Sequence, residues 1–126
     1  ETEYLIEIVL THPEIVRGGF QLVIRFGDGT GMGQQAGSME SVDGRVEIVT
    51  ERQQVLQFAQ QIEVGSFTKE NQTARWTILW KAPANPAGAI IFNVAANASN
   101  YDESALGDFI YTQEFRSRKP QFQELN

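Results

Sequence analysis

The alternation of apolar and polar positions predicts a protein built from β-strands. Apolar side chains recur at every second position in short runs, and clusters of Gly, Pro, Asn and Asp separate these runs. In the clearest run, 20–26, alternate residues from Phe20 to Phe26 are apolar, while Gln21 and Arg25 lie between them. This pattern is typical of an antiparallel strand with one face in a core and the other in water.

The same period-two signal predicts six further strands, although 45–50 and 53–58 carry it weakly. Trp76, Ile78 and Trp80 share one face of their strand, as do the even-numbered residues of the first strand. The six further strands are 4–10, 45–50, 53–58, 75–81, 89–95 and 108–115.

Three segments outside the clearest strands carry predictions of their own. The Pro and Gly residues of 82–88 are typical of a tight turn, so we expect 75–81 and 89–95 to form a hairpin. Segment 27–44 is so rich in glycine that we expect a long surface loop there. The Gln-rich stretch 53–61 leaves a helical turn open as an alternative to a strand.

About seven short strands with turns between them predict an all-β fold in which two antiparallel sheets pack as a sandwich. The length of 126 residues fits one domain. We assign 1–115 to a single β-sandwich domain and 116–126 to a polar C-terminal tail or linker. Because the sequence starts with Glu1 rather than Met, we expect a mature or excised piece of a larger protein.

Charge and composition exclude several classes of function. Sixteen acidic and ten basic side chains give a formal charge of −6, which repels a nucleic-acid backbone, so we expect no nucleic-acid partner. The chain has no cysteine, and therefore no disulfide, thiol nucleophile or cysteine-ligated metal. No apolar run is long enough to span a bilayer, so we expect no transmembrane segment.

Sequence signals of catalysis are absent as well. His12 is the sole histidine, and no nucleophile pattern surrounds it. The glycine-rich segment 27–33 lacks the Lys-Ser/Thr pair of a phosphate-binding loop, although its Asp28 offers a carboxylate. We expect no catalytic residues and no enzyme activity.

Four segments together resemble the reeler domain. The resemblance is strongest from residue 76 to residue 115, and it is most similar to the bacterial version found as a choice-of-anchor domain. The matching segments are Trp-Thr-Ile-Leu-Trp-Lys-Ala-Pro at 76–83, Gly-Ala-Ile-Ile-Phe-Asn-Val-Ala-Ala-Asn at 88–97, Gly-Asp-Phe-Ile-Tyr-Thr at 107–112 and Gly-Gly-Phe-Gln-Leu at 18–22.

This resemblance implies an immunoglobulin-like β-sandwich in a secreted or cell-surface protein, used as one module among several. It implies no catalytic residues. The lack of cysteine departs from the animal members and favours a bacterial or otherwise disulfide-free origin. Some bacterial relatives resemble proteins with a Cys-x-x-Cys-His haem motif just upstream, which this chain lacks, so an accessory domain of a redox protein or cytochrome stays open as an alternative.

The segment 100–108, which we call the acidic loop, is a candidate calcium site. It contains three carboxylates and neither Lys nor Arg, and calcium binds several oxygen ligands. A solvated acidic turn is the alternative, since the spacing matches no EF-hand. The candidate ligands are Asp102, Glu103 and Asp108.

Aromatic side chains offer a second kind of site. Trp76, Tyr101 and Tyr111 are candidate ligand-binding residues for a carbohydrate if they are exposed, whereas Trp80 and Phe92 fit the core. For Trp76 and Tyr111, burial in the core is the open alternative.

Our first hypothesis for the function is a non-catalytic extracellular or cell-surface module. It would serve protein contact, assembly or adhesion through strand edges and loops, including self-association. A calcium- or carbohydrate-binding domain is the alternative.

Overall fold

A computed structural model describes residues 2–11, 17–53, 55–62, 73–85, 88–99 and 109–117. All the regular elements in these ranges are strands. They are β1 (Glu3–Thr11), β2 (Arg17–Phe26), β3 (Ser38–Ser41), β4 (Val46–Glu51), β5 (Leu56–Gln61), β6 (Thr73–Lys81), β7 (Ile90–Ser99) and β8 (Phe109–Ser117). Within the described ranges, no helix is present that could cross a membrane.

The strands form two antiparallel sheets of unequal width. The smaller sheet has the order β1-β6-β3, and the larger sheet has the order β4-β5-β2-β7-β8. The predicted all-β sandwich is therefore confirmed, and the described residues contain eight strands, whereas the sequence predicts about seven.

The core lies between the two sheets. Alternate side chains of β2 and β6 point into it, as predicted, and Ile24 and Ile78 are fully buried. The ring of Trp80 meets Phe92 of β7 edge to face, with centroids 5.1 Å apart. Such aromatic pairs stabilise the packing beyond the area that they bury.

The expected hairpin between 75–81 and 89–95 is wrong. β6 pairs with β1 and β3 in the smaller sheet, whereas β7 pairs with β2 and β8 in the larger one. The chain therefore crosses from one sheet to the other after β6. Turn residues indicate that the chain changes direction, but they do not indicate which sheet the next strand joins.

The expected surface loop at 27–44 is also wrong in its second half. Strand β3 lies there and pairs with β6, with Met39 opposite Trp80. Ala36 and Met39 are buried in the core. Four residues are too few to show an alternation, which explains why the pattern did not indicate this strand.

Strand β5 begins at Leu56, later than predicted, and the helical alternative for the Gln-rich stretch is not adopted. Val55 is 70% exposed and has a φ of 53°, so it belongs to the turn before the strand. The register with β4 places Gln57 and Gln61 on the same face as the buried Ala59. Polar residues on the inner face hide the alternation.

The side chains of these two glutamines take the place of backbone carbonyl groups as hydrogen-bond acceptors. The Oε1 atom of Gln61 accepts a hydrogen bond from the Phe20 amide at 2.8 Å. The Oε1 atom of Gln57 accepts one from the Met39 amide, also at 2.8 Å. Because a part-buried amide without an acceptor is costly, the glutamines stabilise the places where strand pairing stops.

Candidate functional site

Trp76 lies in the core and does not offer a binding face. Its side chain is 1% exposed, and its ring packs on Phe20 with centroids 4.8 Å apart. Of the two alternatives for this residue, the structure shows the core. The expectation that an exposed Trp76 stacks on a sugar is therefore wrong, because both faces of the indole are covered.

Tyr111 is 43% exposed and stays a candidate for ligand contact. The remaining candidates lie outside the residues that the structure describes: Tyr101, Asp102, Glu103, Asp108 and His12. Elsewhere, within the described ranges, no group of three or more metal-ligating side chains comes together.

The side chain of Asp28, near the start of the glycine-rich segment, connects two strands of the larger sheet. Its Oδ1 atom accepts a hydrogen bond from the Ala89 amide at 2.7 Å, and its Oδ2 atom accepts one from Arg116 at 2.9 Å. A Cβ atom at Gly88 would collide with Asp28. The carboxylate therefore ties the start of β7 to the end of β8, which continues through Ser117, two residues beyond the predicted end of the strand.

The unequal width of the sheets leaves one strand of the larger sheet partly uncovered. Tyr111 and Phe115 of β8 lie opposite Ala96 and Phe92 of β7, and both β7 residues face the core. Tyr111 and Phe115 therefore face the smaller sheet, yet they are 43% and 53% exposed. In the part of the chain that the structure describes, no strand of the smaller sheet covers them.

A groove of about 500 Å³ runs between β1 and β8. Its floor and walls are largely apolar, and Glu7 is the charged residue of its lining. The apolar lining residues are Ile8, Val9, Leu10, Val94, Ala96, Tyr111 and Phe115. We call this surface, together with the free side of β1, the β1–β8 groove.

Strand β1 forms the wall of this groove and the edge of the smaller sheet. It pairs with β6 without interruption from Glu3 to Thr11. Leu5 is 67% and Val9 is 47% exposed, which is high for apolar residues of a strand. An edge strand with exposed apolar side chains is a site at which another chain can bind.

Two contacts hold side chains of β1 against strand β6. Tyr4 stacks on Trp80 with centroids 5.6 Å apart, so its ring is held against the core although it is half exposed. Glu7 forms an ion pair with Arg75 at 3.3 Å on the outer face of the smaller sheet. This exposed pair contributes at most about 1 kcal/mol.

The fold is shared with a protein of known structure. The crystal structure of the human F-spondin reeler domain matches with a TM-score of 0.59, over 93% of this chain and 78% of that chain. The chain has the fold of a reeler domain. The sequence identity is 16%, so this reeler likeness establishes the fold alone.

The reeler resemblance expected from the sequence is thus confirmed for the fold, while the bacterial choice-of-anchor version stays a prediction. A scan against protein-family models finds no match, and a search of curated proteins finds none.

Sequence reasoning identified Tyr111 as a candidate site residue but missed Phe115. The alternation of β8 was a signal for both, but the pattern does not show that β8 lies at the wider edge of a reeler sandwich.

Proposed function

We propose that this domain is a non-catalytic extracellular module that contacts other proteins through the β1–β8 groove. The observation that carries this proposal is the partly uncovered inner face of β8 beside the free edge of β1. Tyr111 and Phe115 lie on that face, and large exposed apolar patches on folded proteins mark contact sites. The reeler fold supports an extracellular location.

Photo-crosslinking tests this function. A benzophenone amino acid replaces Val9 or Phe115 in the protein as its own cells make it, and Val49 serves as the matched control. Val49 is 41% exposed on β4, the opposite edge of the larger sheet. We expect discrete protein adducts from positions 9 and 115 on illumination and none from position 49.

Equal adducts from all three positions would show random collisions, and no adduct at all would reject the contact function.

Carbohydrate is the second candidate ligand, because the half-exposed ring of Tyr111 is suited to stacking on a sugar. A glycan adduct from position 115 would favour that candidate over a protein partner. Calcium binding by the acidic loop and an accessory role in a redox protein remain predictions from the sequence.

A further inference from the structure

We propose that the β1–β8 groove binds an extended segment of a partner protein, which pairs with β1 as a fourth strand of the smaller sheet. This inference rests on the proposed contact function and specifies the kind of partner. The segment would alternate aliphatic residues, which face β8, with residues that include Lys or Arg on its outer face.

The free edge of β1 indicates that the partner binds in an extended conformation. β1 pairs with β6 over nine residues in one continuous register, so every second residue of β1 directs its N–H and C=O groups away from β6. Among the described residues, no strand accepts these groups. A polypeptide in the β conformation matches their spacing along its whole length.

The devices that usually protect edge strands are absent from β1. Proline, lysine, bulges and inward-pointing charges are the common ones. The sequence of β1 contains neither Pro nor Lys, its register has no bulge, and its inward residues are Tyr4, Ile6, Ile8 and Leu10. Among the described residues, this edge is therefore open to pairing.

Position in the sandwich explains why the added strand would join β1 rather than β8. Strands in a sheet lie about 4.8 Å apart, and packed sheets lie about 10 Å apart. A strand beside β1 therefore lies above β8, where its inward side chains meet Tyr111 and Phe115. A strand added to β8 would extend the larger sheet and leave these rings uncovered.

Charge indicates the outer residues of the partner. Glu3 and Glu7 lie on the outer face of β1, where Glu7 also pairs with Arg75 of β6, and the whole chain keeps a formal charge of −6. Cross-strand pairs of opposite charge are favourable, whereas like charges are not. The residues of the partner that neighbour these glutamates are therefore expected to be basic.

A designed peptide serves as the probe, with the sequence Lys-Val-Thr-Val-Lys-Val-Thr-Val-Lys. Two further versions are N-methylated, one at every Val and the other at the Lys and Thr residues after the first. Because a strand pairs through the amides of alternate residues, we expect one version to bind as the parent peptide does and the other to lose at least about tenfold in affinity.

Hydrogen exchange followed by NMR locates the bound peptide, and two variants provide the matched pair. We expect new protection at alternate amides of β1 and none along β4. Phe115→Lys should weaken binding by about tenfold or more, because a ring of the groove is lost, whereas Val49→Lys should leave it unchanged. Both positions are at least 41% exposed, so both variants should fold, which near-ultraviolet circular dichroism verifies.

Three results would overturn the assignment: equal losses for the two methylated versions, protection on another edge, or alternate amides of β1 already protected in the free domain. Protection that rises with protein concentration alone would assign the edge to a second copy instead. If the peptides do not bind but positions 9 and 115 still cross-link to protein, strand addition fails and the contact function stands. If both experiments are negative, both proposals fail.

Discussion

Replacing Gly37 with alanine tests whether the close approach of the turn before β3 to strand β6 stabilises the folded protein. Gly37 has a φ of +73°, a conformation that costs an L-residue about 1–2 kcal/mol. A Cβ atom there would also collide with the carbonyl oxygen of Lys81 and lie 2.8 Å from the indole nitrogen of Trp80. That nitrogen donates a buried hydrogen bond to the Ala36 carbonyl at 3.0 Å.

Relief of the collision must move this turn away from β6 and break the indole hydrogen bond. Leaving a buried polar group unpaired costs about 1–3 kcal/mol. With the backbone strain added, we expect Gly37→Ala to lower the free energy of unfolding by about 2–5 kcal/mol. Gly33 is the control, because its φ is +83° and an added Cβ meets no atom within 4 Å. Gly33→Ala should cost only the strain of about 1–2 kcal/mol.

Urea unfolding followed by tryptophan fluorescence measures both variants, since Trp76 and Trp80 are both buried in β6. The midpoint should fall further for Gly37→Ala than for Gly33→Ala, with an unchanged slope. A difference between the two variants below about 0.5 kcal/mol would refute the reasoning, because the collision would then cost nothing beyond the strain.

Three further predictions can be checked on the purified domain. Gln61→Ala should lower the free energy of unfolding in urea by about 1–3 kcal/mol, because an amide of β2 loses its acceptor. Gln60→Ala removes an exposed hydrogen bond to Glu47 and should cost less than about 0.5 kcal/mol; equal costs would contradict the role of Gln61. Asp28→Asn should cost at most about 1 kcal/mol, because it weakens the exposed pair with Arg116 yet keeps an acceptor for the Ala89 amide. Asp28→Ala should cost more, because it also removes that acceptor. Equal losses for the two variants would show that the charge dominates and would contradict the role of the Ala89 hydrogen bond. If the acidic loop binds calcium, thermal melting should shift upward in millimolar calcium relative to a chelator, and Asn in place of its three carboxylates should abolish the shift; an unchanged melting temperature would reject the site.

The strands that could be predicted from the sequence are those whose inner faces are apolar. β2 and β6 alternate large apolar residues with others, so both their position and the side that they bury were predicted correctly. β5 turns Gln57 and Gln61 toward the core, where backbone amides of β3 and β2 donate hydrogen bonds to them. A pattern of polarity cannot distinguish such residues from solvated ones. The pairing of β6 with β1 depends on residues far apart in the chain, which no local signal reports.

The candidate site was predicted only in part. Tyr111 was identified as an aromatic residue of the last strand, but its exposure depends on how far the larger sheet extends past the smaller one. That difference in width is a property of the assembled sandwich. Trp76 shows the reverse case, because its strand lies over the middle of the larger sheet and its ring is covered.

The pairing of β1 with β6 also has a consequence for the synthesis of the protein. Glu3 pairs with Lys81 and Thr11 with Thr73, so β1 leaves the ribosome before the other strands of this domain and has no partner until β6 has followed. Closing so long a loop is slow, because its entropy is lost before the contacts form. During that delay the apolar strand Tyr-Leu-Ile-Glu-Ile-Val-Leu is exposed, and a holding chaperone that recognises it would prevent aggregation until β6 arrives.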